Sequence, residues 1–370
     1  MKNIPSIDKI SNFRDLINSN SSFVRKEYGN KDGKNFWNIV CSCMDWITVA
    51  IKYLKSIDEL DEDLDIKAMQ VYSIISSVDL VFESICQLHR VFINNKTMPF
   101  VGEKGCFANP LFDKSDNEYF KEIRAAFGAH PVNLNGDGEK RFASWPYHDF
   151  MKDDDFTVTL YSNKVGINDL HMSLKISELI YFLNRNYNYL DVISEKVKFL
   201  YETKVDELRK EKIEMSSNSL EQLFVLEKES KKRFNDDYYN GVINELLTIF
   251  GCDHRHDSIK EEVSEFRESL KPLIKELRKN LQAAQIKDLK NESLLSSNSE
   301  LTGMLSYEVS KFYSWLAGNE SDHLIDYYLR RFNEVSEFKY NFSIKDFDCC
   351  LLLKLNLMLR QGDLGANHIE

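Results

Sequence analysis

Residues 66–94 read IKAMQVYSIISSVDLVFESICQLHRVFIN, and the period of this stretch decides the fold. Ile74, Ile75, Val78, Phe82, Ile85 and Leu88 recur mostly three and four residues apart, which is the repeat of an α-helix and not the alternation of a strand. A helix apolar over so much of its circumference needs neighbours to cover it. Segments of the same period flank it: 36–55 (FWNIVCSCMDWITVAIKYLK), 117–129 (NEYFKEIRAAFGA), and a long helix from near Asn168 past Leu200. Only 6 prolines and 14 glycines interrupt 370 residues, so the expected class is all-α.

The helix over 117–129 has marked ends. Ser115 or Asp116 caps its start, Ser115 with Glu118 fits a capping box, and Glu118 and Glu122 place negative charge near the positive end of the helix dipole. Gly128 and Pro131 bracket His130, and the residue before a proline is pushed out of the α region, so the helix is expected to stop at Ala129 or His130. Beyond it the character changes. RFASWPY and FTVTLYS, separated by HDFMKDDD, predict a two-stranded β-hairpin insert over about 141–162, packed on the helices through Phe142, Trp145, Phe156 and Val158.

Segment 202–220 is highly charged and then rich in Ser and Asn, a composition shift that marks a linker or boundary. It divides the chain into a helical bundle over 1–205 and a second helical domain over 220–370. The latter carries helical patterns at 220–250, 258–285, 299–316, 321–335 and 343–360. Two domains suit the length.

Composition removes several function classes. No window approaches the roughly 20 uninterrupted apolar residues of a bilayer crossing, and the start, MKNIPSIDKI, has no apolar signal core, which predicts a soluble, cytoplasmic chain without membrane contact. Seven cysteines form an odd set within apolar runs and are expected to be reduced core residues. A net charge of -11 opposes wide clamping of nucleic acid and leaves room only for a small, focused site. There is no Gly-rich phosphate loop and no nucleophile elbow.

One stretch carries chemistry. Arg124 and His130 flank AAFGA at the end of a short helix. YFKEIRAAFGAHP resembles the Arg-x4-6-His signature of the HEPN superfamily, helical-bundle proteins found among RNA-cutting toxins, abortive-infection proteins and nuclease domains of RNA-targeting CRISPR effectors. Two long apolar helices before the motif and one after it match the order of such a bundle, and the resemblance covers roughly residues 36–200. The position after the arginine, commonly polar in HEPN nucleases, is Ala125 here. A second match, Arg141 to His148, spans Pro146 in the expected hairpin and lacks a helical setting.

The resemblance implies a metal-independent endoribonuclease without cofactors, acting on RNA, with a composite site that requires a homodimer, and a toxin or phage-defence role. Arg124 would grip the scissile phosphate with an always-charged planar fork. His130, at a helix C-terminus that favours its imidazolium, would transfer the proton. On the preceding helix Asp79, Glu83, Cys86 and Arg90 share one face; Asp79, Glu83 and Arg90 are expected to support Arg124 or His130, against the bland alternative of a solvated face or ion pair. The same motif would also serve a non-catalytic interaction or sensing protein, with His130 merely capping the helix. The C-terminal half is open to a regulatory protein or a nucleotide.

Other candidates read as structure. Cys252, His254 and His256 in GCDHRHDS lack a partner pair for zinc and are expected to form a polar loop, so no metal is expected. Cys349 and Cys350 fall in FDCCLLLKLNLML and are expected to be buried. Asp153 to Asp155 looks like the hairpin turn, and the aromatics of 184–210 look like the packing face of a helix in preference to a base-stacking surface.

Overall fold

Asp63 closes the loop before the deciding stretch and caps it: its side chain accepts the N–H groups of Asp65 and Ile66, two of the donors a helix start leaves unsatisfied. The helix therefore begins at Leu64 and runs to Phe92. The computed structural model describes residues 3–94, 96–129, 134–136, 139–144, 154–253, 259–295, 303–316, 318 and 322–360. The described residues are mostly helical with one small antiparallel sheet, and the chain divides into two units, Met1–Glu202 and Thr203–Glu370.

The first unit opens with α1 (Asp8–Ser19) and α2 (Ser21–Tyr28), followed by α3 (Phe36–Ser56), α4 (Leu64–Phe92) and α5 (Asp116–Arg124). α3 and α4 pack along each other, burying Val40, Met44, Ile47 and Ile51 from one and Ile74, Val78, Phe82 and Ile85 from the other. By length and composition α4 would suffice to cross a membrane, but its most apolar window is 61% buried inside the chain, the situation of a core helix. Phe82, Phe120 and Phe182 join α4, α5 and α6 (Ile176–Asn188): the rings of Phe120 and Phe182 stack at 4.6 Å, and Phe82 lies 5.7 and 5.4 Å from them. Each such pair adds about 0.5–1.5 kcal/mol beyond the area it buries.

At Ser115 the expected capping box is present. The Glu118 carboxylate accepts from the Ser115 N–H at 3.1 Å and from its hydroxyl at 2.6 Å, and these bonds hold the carboxyl below its usual range. The other end differs in kind. The α-helix stops at Arg124, and Ala125–Ala129 form a π-helical turn.

The expected hairpin is the centre of a larger sheet. β1 (Leu134–Gly136), β2 (Glu139–Ala143), β3 (Phe156–Ser162) and β4 (Leu170–Leu174) pair in that order, all antiparallel. The predicted pair aligns Phe142 with Tyr161. Phe156 and Val158 are buried as expected, whereas Phe142 is exposed and Trp145 lies outside the described residues. β3 is buried on both faces although its sequence alternates, with apolar Phe156, Val158 and Leu160 interleaved by Thr157 and Thr159. Thr157 bonds Ser173 and Thr159 bonds His171 across the β3–β4 pair, so hydroxyls are tolerated there.

The single long helix expected from Asn168 is β4, α6 and α7 (Leu190–Lys210). Two interactions, one of them remote in sequence, explain the breaks. Asp155 Oδ2 accepts the Ile176 N–H at 2.7 Å and fixes the start of α6, so this aspartate is a helix cap more than a turn residue. At Tyr189 the N–H bonds Asn186, a tightened final turn, while the Tyr189 hydroxyl bonds His89 Nδ1 at 3.0 Å. The division between the two units falls within α7.

The second unit contains α8 (Ser219–Arg233), α9 (Asp237–Gly251), α10 (Lys260–Ser269), α11 (Lys271–Gln282), α12 (Gly303–Leu316), α13 (Ile325–Val335) and α14 (Asp348–Arg360). The pattern over 220–250 is broken by Asn235, whose φ of 51° no helix accommodates, and Asp236 restarts it by accepting the Tyr239 N–H. The pattern over 258–285 breaks before Pro272, near the start of α11, where a missing N–H costs nothing. α14 is buried on nearly every face, including Lys354, which donates to Asn341 O at 2.9 Å and Asp346 Oδ2 at 2.8 Å.

Candidate functional site

Phe120 and Ile123 turn the apolar face of α5 into the core, which leaves Lys121 and Arg124, three residues apart, at its border. Arg124 Nη1 donates to Asp79 Oδ1 of α4 at 3.1 Å. The arginine side chain is 39% exposed and the aspartate 22%, so the pair contributes at most about 1 kcal/mol to stability. Its consequence is positional: Asp79 holds one nitrogen of a partly exposed guanidinium that carries further donors.

Asp79 lies in a mixed field. Burial pushes its carboxyl above the usual range, Arg124 and Lys121 draw it back, and Glu83, one turn further along α4, pushes it up again. Cys86, buried on the same face, is raised to about 12 by burial and by Glu83. The structure thus brings together Arg124, Asp79 and Glu83, with Lys121 added. Lys121 was missed by sequence reading although its spacing from Arg124 placed both on one helix face. Arg90 does not join them by a hydrogen bond; exposed, it donates to Gln87 of its own helix at 3.3 Å. His130 lies outside the described residues.

The raised carboxyl gives a signed expectation. With its folded value above the unfolded 3.8, Asp79 takes up protons on folding between those two values, so it disfavours the folded state above its folded value and not below 3.8. Asp79→Asn keeps an acceptor and removes the charge. The variant is expected to be at least as stable as wild type at pH 7, the difference vanishing as pH falls below about 4; denaturant unfolding at several pH values measures it, and a variant clearly weaker at pH 7 and equal at pH 4 contradicts it.

The π-helical turn Ala125–Ala129 packs against α4, β2 and β3. Ala126 is buried, Phe127 lies 6.0 Å from Phe156, and a Cβ at Gly128 would meet the Tyr72 ring at 3.5 Å. The i→i+5 pattern is rare, and where it occurs it is frequently at functional sites. Ala125, where the HEPN pattern commonly has a polar residue, is the first residue of this turn.

The remaining candidates fall away from chemistry. Arg141 donates to the carbonyls of Leu160 and Asn168 and pairs with Glu139 within the sheet, and its partner in the second motif match, His148, lies outside the described residues. Tyr187 is buried, its hydroxyl bonded to Ser6 O at 2.8 Å, so this aromatic of 184–210 packs as predicted. A groove of about 770 Å³ is lined partly by Asp58, Glu59 and Asp155, carboxylates that repel phosphate, and it contains none of the Arg124 cluster.

Comparison with protein families, with curated proteins and with solved structures finds no match to this chain.

Proposed function

We propose that the first unit is a HEPN-type bundle and that the protein is a metal-independent endoribonuclease, acting in the cytoplasm as a homodimer with a toxin or phage-defence role. The observation that supports this best is the rare π-helical turn lying directly between Arg124 and His130 in the sequence, beside a partly exposed arginine held by Asp79.

Arg124 binds the scissile phosphate through the nitrogens not engaged by Asp79. The 2′-oxygen of the RNA attacks phosphorus as its proton leaves to a base, the bond to the 5′-oxygen breaks, and His130 delivers a proton to that leaving oxygen. The products are a 2′,3′-cyclic phosphate and a 5′-hydroxyl, with no water, metal or redox partner consumed. Asp79, Glu83 and Lys121 set the field around the guanidinium. One Arg and one His make a sparse site, and a second copy from the partner subunit completes it. The second unit is assigned control of cutting, through a regulatory protein or a nucleotide.

The test is single-stranded RNA incubated with the purified protein in excess EDTA, with the product ends identified. Cyclic phosphate and 5′-hydroxyl ends are expected. Cutting that requires magnesium, or that leaves 5′-phosphates, sinks this mechanism. One observation favours a second reading, a non-catalytic interaction or sensing protein: Arg124 already has a carboxylate partner in Asp79, as a purely structural arginine would. That reading expects no cutting at all.

A further inference from the structure

Three thiols that the sequence leaves far apart meet in the second unit. The sulfurs of Cys252, Cys349 and Cys350 all lie within 4.8 Å of one another, and Cys252 Sγ and Cys350 Sγ are 3.2 Å apart across 98 residues of sequence. Thiolates about 2.3 Å from a tetrahedral zinc stand about 3.8 Å from each other, so the observed gathering fits ligands around a common ion more closely than it fits dispersed core residues.

The backbone is fixed on both sides of the cluster. Cys252 leaves α9 in an extended conformation directly after Gly251, which turns it out of the helix. Arg267 of α10 then clamps that exit, donating through Nη2 to the carbonyls of Ile249 at 2.8 Å and Cys252 at 2.7 Å. Cys349 and Cys350 occupy the first turn of α14, where the helix dipole favours an anionic sulfur. Cys252 is buried, while Cys349 and Cys350 are partly exposed, which gives an ion a route in.

We propose that Cys252, Cys349 and Cys350 form a metal site for a thiophilic divalent cation, zinc in the first place. Binding one Zn²⁺ releases three thiol protons and leaves a complex of net charge -1, whose neighbour is the Arg267 guanidinium. Among the described residues no fourth ligand joins the cluster; His254 and His256 lie outside the described residues. Because α9, α10 and α14 meet here, the ion ties α14 to the body of the second unit, and its binding free energy becomes stability of that unit. The site is independent of the nuclease reading, whose residues belong to the first unit.

The test is the zinc content of the full chain, expressed with zinc supplied and purified in reductant without chelator, together with cobalt titration of the metal-stripped protein. About one zinc per chain is expected, with a near-ultraviolet thiolate-to-cobalt charge-transfer band. Cys350→Ser is expected to bind cobalt at least about tenfold more weakly, while Cys41→Ser, outside the cluster, binds as wild type. Wild-type protein that carries no zinc and gives no charge-transfer band overturns the proposal whatever the variants do. A Cys252–Cys350 disulfide in freshly lysed, alkylated cells also overturns it.

Discussion

Arg124→Ala is expected to lower the rate of RNA cutting at least about 100-fold, the scale seen when one preorganised donor to a developing anion is removed. Asp79 holds one guanidinium nitrogen at 3.1 Å, so the fork is already aimed before RNA arrives. Arg124→Lys keeps the charge and loses the fork; it is expected to recover only part of the rate, because an ammonium is a point charge without bidentate geometry. Truncation strands the Asp79 carboxylate, whose burial already disfavours its charged form. The double variant Asp79→Asn/Arg124→Ala removes that complication. A double variant that melts with wild type yet does not cut assigns the loss to chemistry; one that cuts as wild type removes Arg124 from the site.

The largest effect on stability is expected at Asp116, the first residue of α5. Its carboxylate accepts the N–H groups of Gly105 at 3.2 Å and Cys106 at 3.1 Å, and Arg185 Nη1 donates to it at 2.8 Å. The two side chains are 4% and 18% exposed. Arg185 lies over the rings of Phe100 and Phe182 at 4.8 and 5.9 Å, and its Nε and Nη2 are buried without a protein partner. Asp116→Ala would leave a largely desolvated guanidinium with only the exposed Glu103 carboxylate, 3.8 Å away, as counter-charge, and two loop N–H groups unmatched. Breaking such a pair from one side costs about 3–5 kcal/mol, or roughly 6–20 °C in melting temperature for a unit of this size. Asp116→Asn keeps an acceptor for the loop and is expected to lose about half as much. A shift of a degree or two for Asp116→Ala would show that the loop holds by other contacts.

How much of this was legible depended on the range over which each cause acts. The period of 66–94 and the capping box at Ser115 are local, and the sequence displays them; the Asp63 cap that starts the helix at Leu64 was not read. The split of 168–200 into a strand and two helices was not legible, because the Asp155 cap on Ile176 and the His89 bond to Tyr189 come from elsewhere in the chain. The sheet was partly visible: β2 and β3 carry aromatic and β-branched runs, β1, LNG, has no strand signature and exists through pairing, and β4, LHMSL, alternates apolar and polar residues over only five positions before a helical pattern. At the candidate site, Asp79 and Glu83 were found from helical spacing, but nothing in the sequence marks a π-helical turn after Arg124. The thiol cluster was hidden for the opposite reason. Cys252 was weighed with His254 and His256, its neighbours in sequence, while its neighbours in space are 97 and 98 residues away.

The most direct test of the central claim is the single-turnover rate of single-stranded RNA cutting in excess EDTA for wild type and His130→Ala. The proposed mechanism predicts that wild type cuts and that the variant, folded to the same melting temperature, is slower by about 10²–10⁴-fold, the range for a lost general acid. Equal rates for the two proteins would contradict it.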